Sequence, residues 1–297
     1  MAVFAESQDA DAGRDLPAGV SPSAGAPPRA VAIDTHAHVF EQGLTLAEGR
    51  RYSPGHDATL ADYLAQLDAH GMTHGVLVQP SFLGMDNRYL LDALRACPAR
   101  LRGVVVIDPG IADDALRQMA AAGVMGMRLN LFGQATPPLD TAPWRGLLAR
   151  VTELGWHVEL HVPARRLPDA LPHLLAAGCT VVVDHFGRPD PALGVADAGF
   201  QYLLRQAGSD RVWVKLSGAY RNWSHEQAAT AGREATRQLL DAYTAARLVW
   251  GSDWPHTEHR HITYEPTRHW LDRWIPHADT RRIILGDAPS RLFRIDR

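Results

Sequence analysis

Eight times between residues 31 and 252, a short run rich in β-branched residues is followed by a longer stretch, most of them of helical period. Parallel strands joined by crossover helices need this alternation, because a parallel neighbour is reached only through a connection of a dozen or more residues. The expected strands are 31–39, 73–80, 101–108, 124–132, 156–163, 180–186, 212–217 and 247–252, with helices such as 59–70, 87–96, 113–122, 144–154, 167–176 and 232–245 between them. Gly71, Gly123 and Gly178 follow three of these helices, where a left-handed residue closes the last turn. Eight such units predict one closed (β/α)8 barrel, the TIM-barrel class of α/β fold, as a single domain over 31–297. A doubly wound open sheet would place a glycine-rich phosphate turn after the first strand; Asp34-Thr35-His36-Ala37-His38 stands there instead.

Residues 1–30, with Ala-Gly, Ser-Pro-Ser and Ala-Pro-Pro segments and several Asp, read as a disordered tail without the apolar run of a signal sequence. Thirty Lys and Arg against 33 Asp and Glu leave a net charge of −3. That supplies no basic field for nucleic acid and no polybasic membrane patch, so the expected partner is a small molecule. Only Cys97 and Cys179 occur, too few for a disulfide framework or a cysteine metal knuckle, and a reducing cytoplasmic location is expected.

In a barrel of this class the carboxyl ends of the strands carry the chemistry. His36 and His38 end the first strand two positions apart and so enter one space. Glu159-Leu160-His161 ends the fifth, Asp184-His185 the sixth, and Gly251-Ser252-Asp253-Trp254-Pro255-His256 follows the eighth. Closure would gather His36, His38, His161, His185 and Asp253 at one mouth. Imidazoles and a carboxylate are the usual ligands of zinc-like ions, although each taken singly also reads as a satisfied core histidine or a helix cap. Arg128, Arg188 and Arg221 lie at or beyond strand ends, and their planar forks suit an anionic substrate. Ser81, after the second strand, reads equally as a ligand contact or a turn cap. Lys215 is the only lysine, which reflects composition and does not identify a catalytic amine.

The segments Ile33–Phe40, Val78-Gln79-Pro80-Ser81, Gly126-Met127-Arg128-Leu129-Asn130, Asp184-His185-Phe186-Gly187-Arg188-Pro189 and Trp250–His256 resemble those of the amidohydrolase superfamily. More narrowly they resemble its amidohydrolase 2 branch of lactone hydrolases, which act on 2-pyrone-4,6-dicarboxylate, sulfomuconolactones and sugar lactones. The resemblance implies a (β/α)8 barrel that opens a cyclic ester. It implies that Asp253 activates water, that His36, His38 and His185 polarise the lactone carbonyl without metal, and that Ser81, Arg128, Arg188 and Arg221 hold substrate carboxylates. Two positions depart from the pattern. Gln134 stands where a second carboxylate-binding Arg is implied, and His161 where a Tyr is implied; the latter restores the ligand set of mononuclear metal-dependent members. Both favour a related lactone with a single carboxylate or a polyhydroxylated ring.

Two routes to hydrolysis follow. In one, His36, His38, His161 and Asp253 hold one divalent ion, zinc or similar, and His185 steadies the oxyanion. In the other, Asp253 deprotonates water directly while the histidines donate to the carbonyl. A metal-dependent decarboxylase or hydratase of the same superfamily, acting on an aromatic or unsaturated acid, is the competing reading; a metabolite-binding barrel without turnover is a third.

Overall fold

The computed structural model describes residues 30–296, so the expected tail lies, apart from Ala30, outside the described residues. The strands are β1 (Ile33–Ala37), β2 (His74–Val78), β3 (Leu101–Val105), β4 (Val124–Asn130), β5 (His157–His161), β6 (Thr180–Val183), β7 (Val212–Leu216) and β8 (Leu248–Trp250). They form one parallel sheet in sequence order. Nearly every strand residue is buried, because the barrel interior covers one face and helices the other; hence continuous apolar runs rather than alternation.

The ring closes through a seam just past β8. Ala37 bridges Trp254 in parallel, Asp253 N–H donates to His36 O at 2.8 Å, and His38 N–H donates to Trp254 O at 2.8 Å. Asp34 fastens the same seam from inside: it accepts from Ser252 N–H at 2.8 Å, Ser252 Oγ at 2.6 Å and Tyr264 Oη at 3.0 Å. Such a buried carboxylate is tolerable because its oxygens are filled by donors.

The outer layer is α1 (Leu60–Ala69), α2 (Arg88–Ala96), α3 (Asp113–Ala121), α4 (Ala142–Glu153), α5 (Leu167–Ala176), α6 (Ala198–Arg205), α7 (His225–Tyr243) and α8 (Tyr264–Trp274), with the short α9 (Ala278–Arg282) and α10 (Ala288–Phe293) at the end. Three points differ from the sequence expectation. Helix α7 starts seven residues earlier than residue 232, because Ser224 and Gln227 form a reciprocal capping box there. Helix α6, capped by Asp197 on the N–H groups of Gly199 and Phe200, is too short to show a period. The strands end one to three residues sooner than expected, since residues such as Asp184 and Gly251–Asp253 leave the ladder to build the mouth. Cys97 and Cys179 are both free. Among the described residues no helix is long and apolar enough to cross a membrane.

Candidate active site

Strand order alone brings the ends of β1, β5, β6 and β7 and the segment after β8 to one mouth. The seam then sets the finest part of the geometry, because two backbone hydrogen bonds lock Asp253 and Trp254 to His36 and His38. Asp253 adopts φ +61°, a left-handed conformation that costs a non-glycine residue on the order of 1–3 kcal/mol and persists only where its surroundings over-determine it. Here they do. Oδ2 of Asp253 accepts from Tyr220 Oη at 2.7 Å and from Arg221 Nε at 2.5 Å. Oδ1 accepts from no group among the described residues and faces His36 Nε2 at 3.7 Å and His38 Nε2 at 3.6 Å. Burial would raise this carboxyl, but the Arg221 charge and the histidines His185, His38 and His36 outweigh it and hold the group well below the usual carboxylate range.

The imidazoles are prepared in different ways. His38 Nδ1 lies 2.7 Å from Val78 O, and since a carbonyl only accepts, that nitrogen carries the proton. Burial lowers the pKa of His38, so the neutral ring turns the lone pair of Nε2 towards Asp253. His185 Nδ1 pairs with Ser217 Oγ at 2.8 Å. His161 is buried, stacks on Phe132 with ring centroids 5.5 Å apart, and meets the His185 ring edge-on at 4.9 Å; neither of its ring nitrogens has a partner among the described residues. Burial pushes His36, His161 and His185 well below an ordinary imidazole, assisted at His36 by the Lys215 charge and at His161 by His185 and the surrounding arginines.

Beneath this layer lies a buried ionic network. Lys215 Nζ contacts Glu159 Oε1 and stands 3.4 Å from Asp184 Oδ1 and 3.1 Å from His36 Nδ1. Arg128 donates to Asp184 Oδ2 at 3.1 Å and to Gln79 O at 3.3 Å. Burial pushes Asp184 up to about 7 against the pull of Arg128. Lys215 thus stands among Glu159, Asp184 and His36, while Arg128 pairs with Asp184 and Arg221 with Asp253.

Of the residues expected to act together, His36, His38 and Asp253 offer ligand atoms within 4.8 Å of one another. His36, Asp184 and His185 form a second such group, and His161 belongs to neither. His38, Ser81, Arg128, His161, His185, Arg221 and Asp253 line one narrow cleft with Arg51, Tyr52, Asn130 and Thr257. Arg188 is not among its lining residues: it donates to Arg221 O at 2.7 Å, and its guanidinium lies 4.6 Å over the Phe132 ring. Sequence reasoning gave no role to Glu159, Asp184, Lys215, Tyr220 or Arg51. The period-two step from His161 back to Glu159, and an isolated lysine inside an apolar strand, were the available signals.

Over residues 33–295 the chain matches the amidohydrolase family. The protein belongs to the amidohydrolase family. This amidohydrolase is 34% identical to 4-sulfomuconolactone hydrolase of Rhizobium radiobacter over 279 residues, which are 89% of this chain and 90% of the relative. It is 32% identical to 2-pyrone-4,6-dicarboxylate hydrolase of Comamonas testosteroni, over 88% of this chain and 90% of the relative. A solved structure from Pseudomonas putida, assigned as a 2-pyrone-4,6-dicarboxylic acid hydrolase, superposes with a TM-score of 0.85 at 48% identity, covering 90% of this chain and 99% of that one.

One glycine of this amidohydrolase sits where a side chain would strike the site. Gly218 has φ +55°, and a Cβ there would come 2.7 Å from His185 Nδ1 and 3.1 Å from Asp253 Oδ2. Gly218→Ala is therefore expected to leave a folded protein with turnover reduced about tenfold or more, since displacement of catalytic groups by an ångström is costly. Unchanged kcat would show that the two side chains tolerate the methyl group.

Proposed function

We propose that the protein hydrolyses the ring ester of a small carboxylated lactone, of the kind that its 2-pyrone-dicarboxylate and sulfomuconolactone relatives are named for. The observation that carries the proposal is the division of labour within Asp253: Oδ2 is held by Tyr220 and Arg221, while Oδ1 is left bare, facing two imidazoles in the cleft. A carboxylate clamped by one oxygen and open at the other can accept a proton from a water molecule lying over the lactone carbonyl. The water oxygen then bonds to the carbonyl carbon, the ring C–O bond breaks, the leaving oxygen takes the proton back from Asp253, and the new carboxylic acid loses its proton to solvent. His38 and His185 line the cleft beside Asp253, His36 packs behind them, and the Arg221 guanidinium holds Asp253 ionised and oriented.

The amidohydrolase family also implies a divalent metal, and the donor set fits one. His38 presents an Nε2 lone pair and Asp253 Oδ1 is buried without a hydrogen-bond partner, and His36 offers a third nitrogen within reach of the same point once Lys215 gives up its hold on the ring's other nitrogen. When bound, such an ion lowers the pKa of its water towards about 7. Titration of Zn²⁺ into chelator-treated protein is expected to saturate at about one ion per chain, and His38→Ala to weaken uptake at least about tenfold. Absence of uptake in the unaltered protein would assign the bare nitrogens to substrate instead.

A lactone panel decides the reaction class. Proton release on incubation with 2-pyrone-4,6-dicarboxylate, muconolactones and sugar-acid lactones, with and without chelator, is the expected result; CO₂ release from aromatic acids without lactone opening would favour a decarboxylase.

A further inference from the structure

Of the cations lining the cleft, Arg128 is paired with Asp184, although its Nε has no partner among the described residues, and Arg221 is paired with Asp253. Arg51 is not. Among the described residues no carboxylate lies within ion-pair distance of Arg51 or of its neighbour Arg188. Both guanidiniums lie over the same ring, Phe132, with centroid distances of 5.1 Å for Arg51 and 4.6 Å for Arg188. Arg51 and Arg188 therefore bring two positive charges to the mouth without a paired carboxylate. The charges of Arg221 and Arg51, added to burial, pull Arg188 down to about 10, as expected for guanidiniums crowded without a counterion.

Arg51 also occupies a distinctive place in the cavities. It lines the inner cleft that contains Asp253, and it lines an adjoining outer cleft with Arg50, Glu48, Phe132 and Gln134; Ser81 and Asn130 are shared by the two. Arg50 is already engaged, with Ser53 Oγ at 2.7 Å and Ala47 O at 3.1 Å. The loop carrying Arg51 is pinned: Tyr52 packs edge-on against Phe82 at 5.4 Å, and its hydroxyl donates to Thr257 Oγ1 at 2.9 Å, the same oxygen that Arg221 reaches at 3.3 Å. Arg51 is exposed, with the Phe132 face beneath its guanidinium and a tethered neighbour beside it, so the cation reaches the mouth from the solvent side.

We infer that Arg51, at the junction of the two clefts, is the residue that binds the acidic group of the substrate, and that the site selects lactones carrying a carboxylate or sulfonate on the side of the ring facing the outer cleft. Arg188 reinforces the field from the rim, and Arg51 adds an anion contact to the cleft arginines Arg128 and Arg221, which each also pair with a carboxylate of the protein. A guanidinium without a counterion gains a full charge-assisted hydrogen bond from an incoming anion; one already paired gains less, because the anion competes with the resident carboxylate.

The substrate class rests on the hydrolytic reading above, so the test has one arm that does not. Binding of benzene-1,3-dicarboxylate, measured by calorimetry, is expected to weaken about 10- to 100-fold in Arg51→Met, with part of the loss recovered in Arg51→Lys. Equal affinity in Arg51→Met and the unaltered protein would overturn the inference. In the kinetic arm, the ratio of kcat/KM for an acidic lactone over its neutral methyl ester is expected to fall by a similar factor in Arg51→Met. An unchanged ratio, or the same fall in Arg128→Met with none in Arg51→Met, would place the anion site elsewhere. If no lactone is opened at all while the dicarboxylate still requires Arg51, the hydrolytic reading fails and the anion site stands.

Discussion

Asp253→Asn is expected to lower kcat for lactone opening by about 10³-fold, equivalent to roughly 4 kcal/mol of lost transition-state stabilisation. The amide keeps the shape of the side chain, and its oxygen can still accept from Tyr220 and Arg221, so the fold and the cleft should persist. What disappears is the open oxygen that takes the proton. Steady-state kinetics combined with calorimetric binding of the dicarboxylate separates the possibilities. A large fall in kcat with affinity changed by less than a few-fold supports a general base. Activity within about tenfold of the unaltered protein excludes that role. If Zn²⁺ uptake and turnover vanish together, Asp253 acts as a ligand as well.

The second large effect is on stability. Lys215→Met removes the ammonium that stands among Glu159, Asp184 and His36, all fully buried. Deleting one partner of a buried ion pair leaves the other charge unpaired in a low-dielectric interior, at a cost of about 3–5 kcal/mol. Chemical denaturation should show this loss in the midpoint, with an unchanged slope against denaturant if the fold itself is retained. Adding Glu159→Gln to Lys215→Met removes the orphaned carboxylate and is expected to recover much of the stability, but not the activity, because the His36 ring has lost the group at its Nδ1. A single variant as stable as the unaltered protein would mean that water or protonation of Glu159 already relieves the charge.

These expectations rest on residues that differ in how visible they are in the sequence. His36, His38 and Asp253 were legible because strand ends face the barrel mouth by construction, and a two-residue spacing keeps both imidazoles on one side of β1. The strands were legible for a related reason: a parallel strand covered on both faces is almost wholly apolar, and such runs stand out between helical stretches. Helix α6 was not, since eight residues including Gly199 hold barely two turns. Helix α8 mixes five buried positions with His269, Arg268 and Asp272 beside an internal Pro266, which blurs its period. The arginines were found as residues but not as partners. Arg221 reads from sequence as a substrate clamp, yet lies against a carboxylate 32 positions away. Arg188 likewise sits at the rim, over Phe132, rather than on the cleft wall.

Local order along the chain was enough to determine a barrel, its strand sequence and the set of polar groups delivered to its open end, because periodicity and strand direction are short-range properties. Which of those groups meet was decided only by closure of the ring. The seam between β1 and the turn after β8 set Asp253 against His36 and His38, the packing of neighbouring strands consumed Arg128 and Lys215 in internal ion pairs, and the long loop after β1 carried Arg51 over Phe132. Charge pairing depends on distances of a few ångströms between residues far apart in sequence, and no one-dimensional pattern encodes those distances.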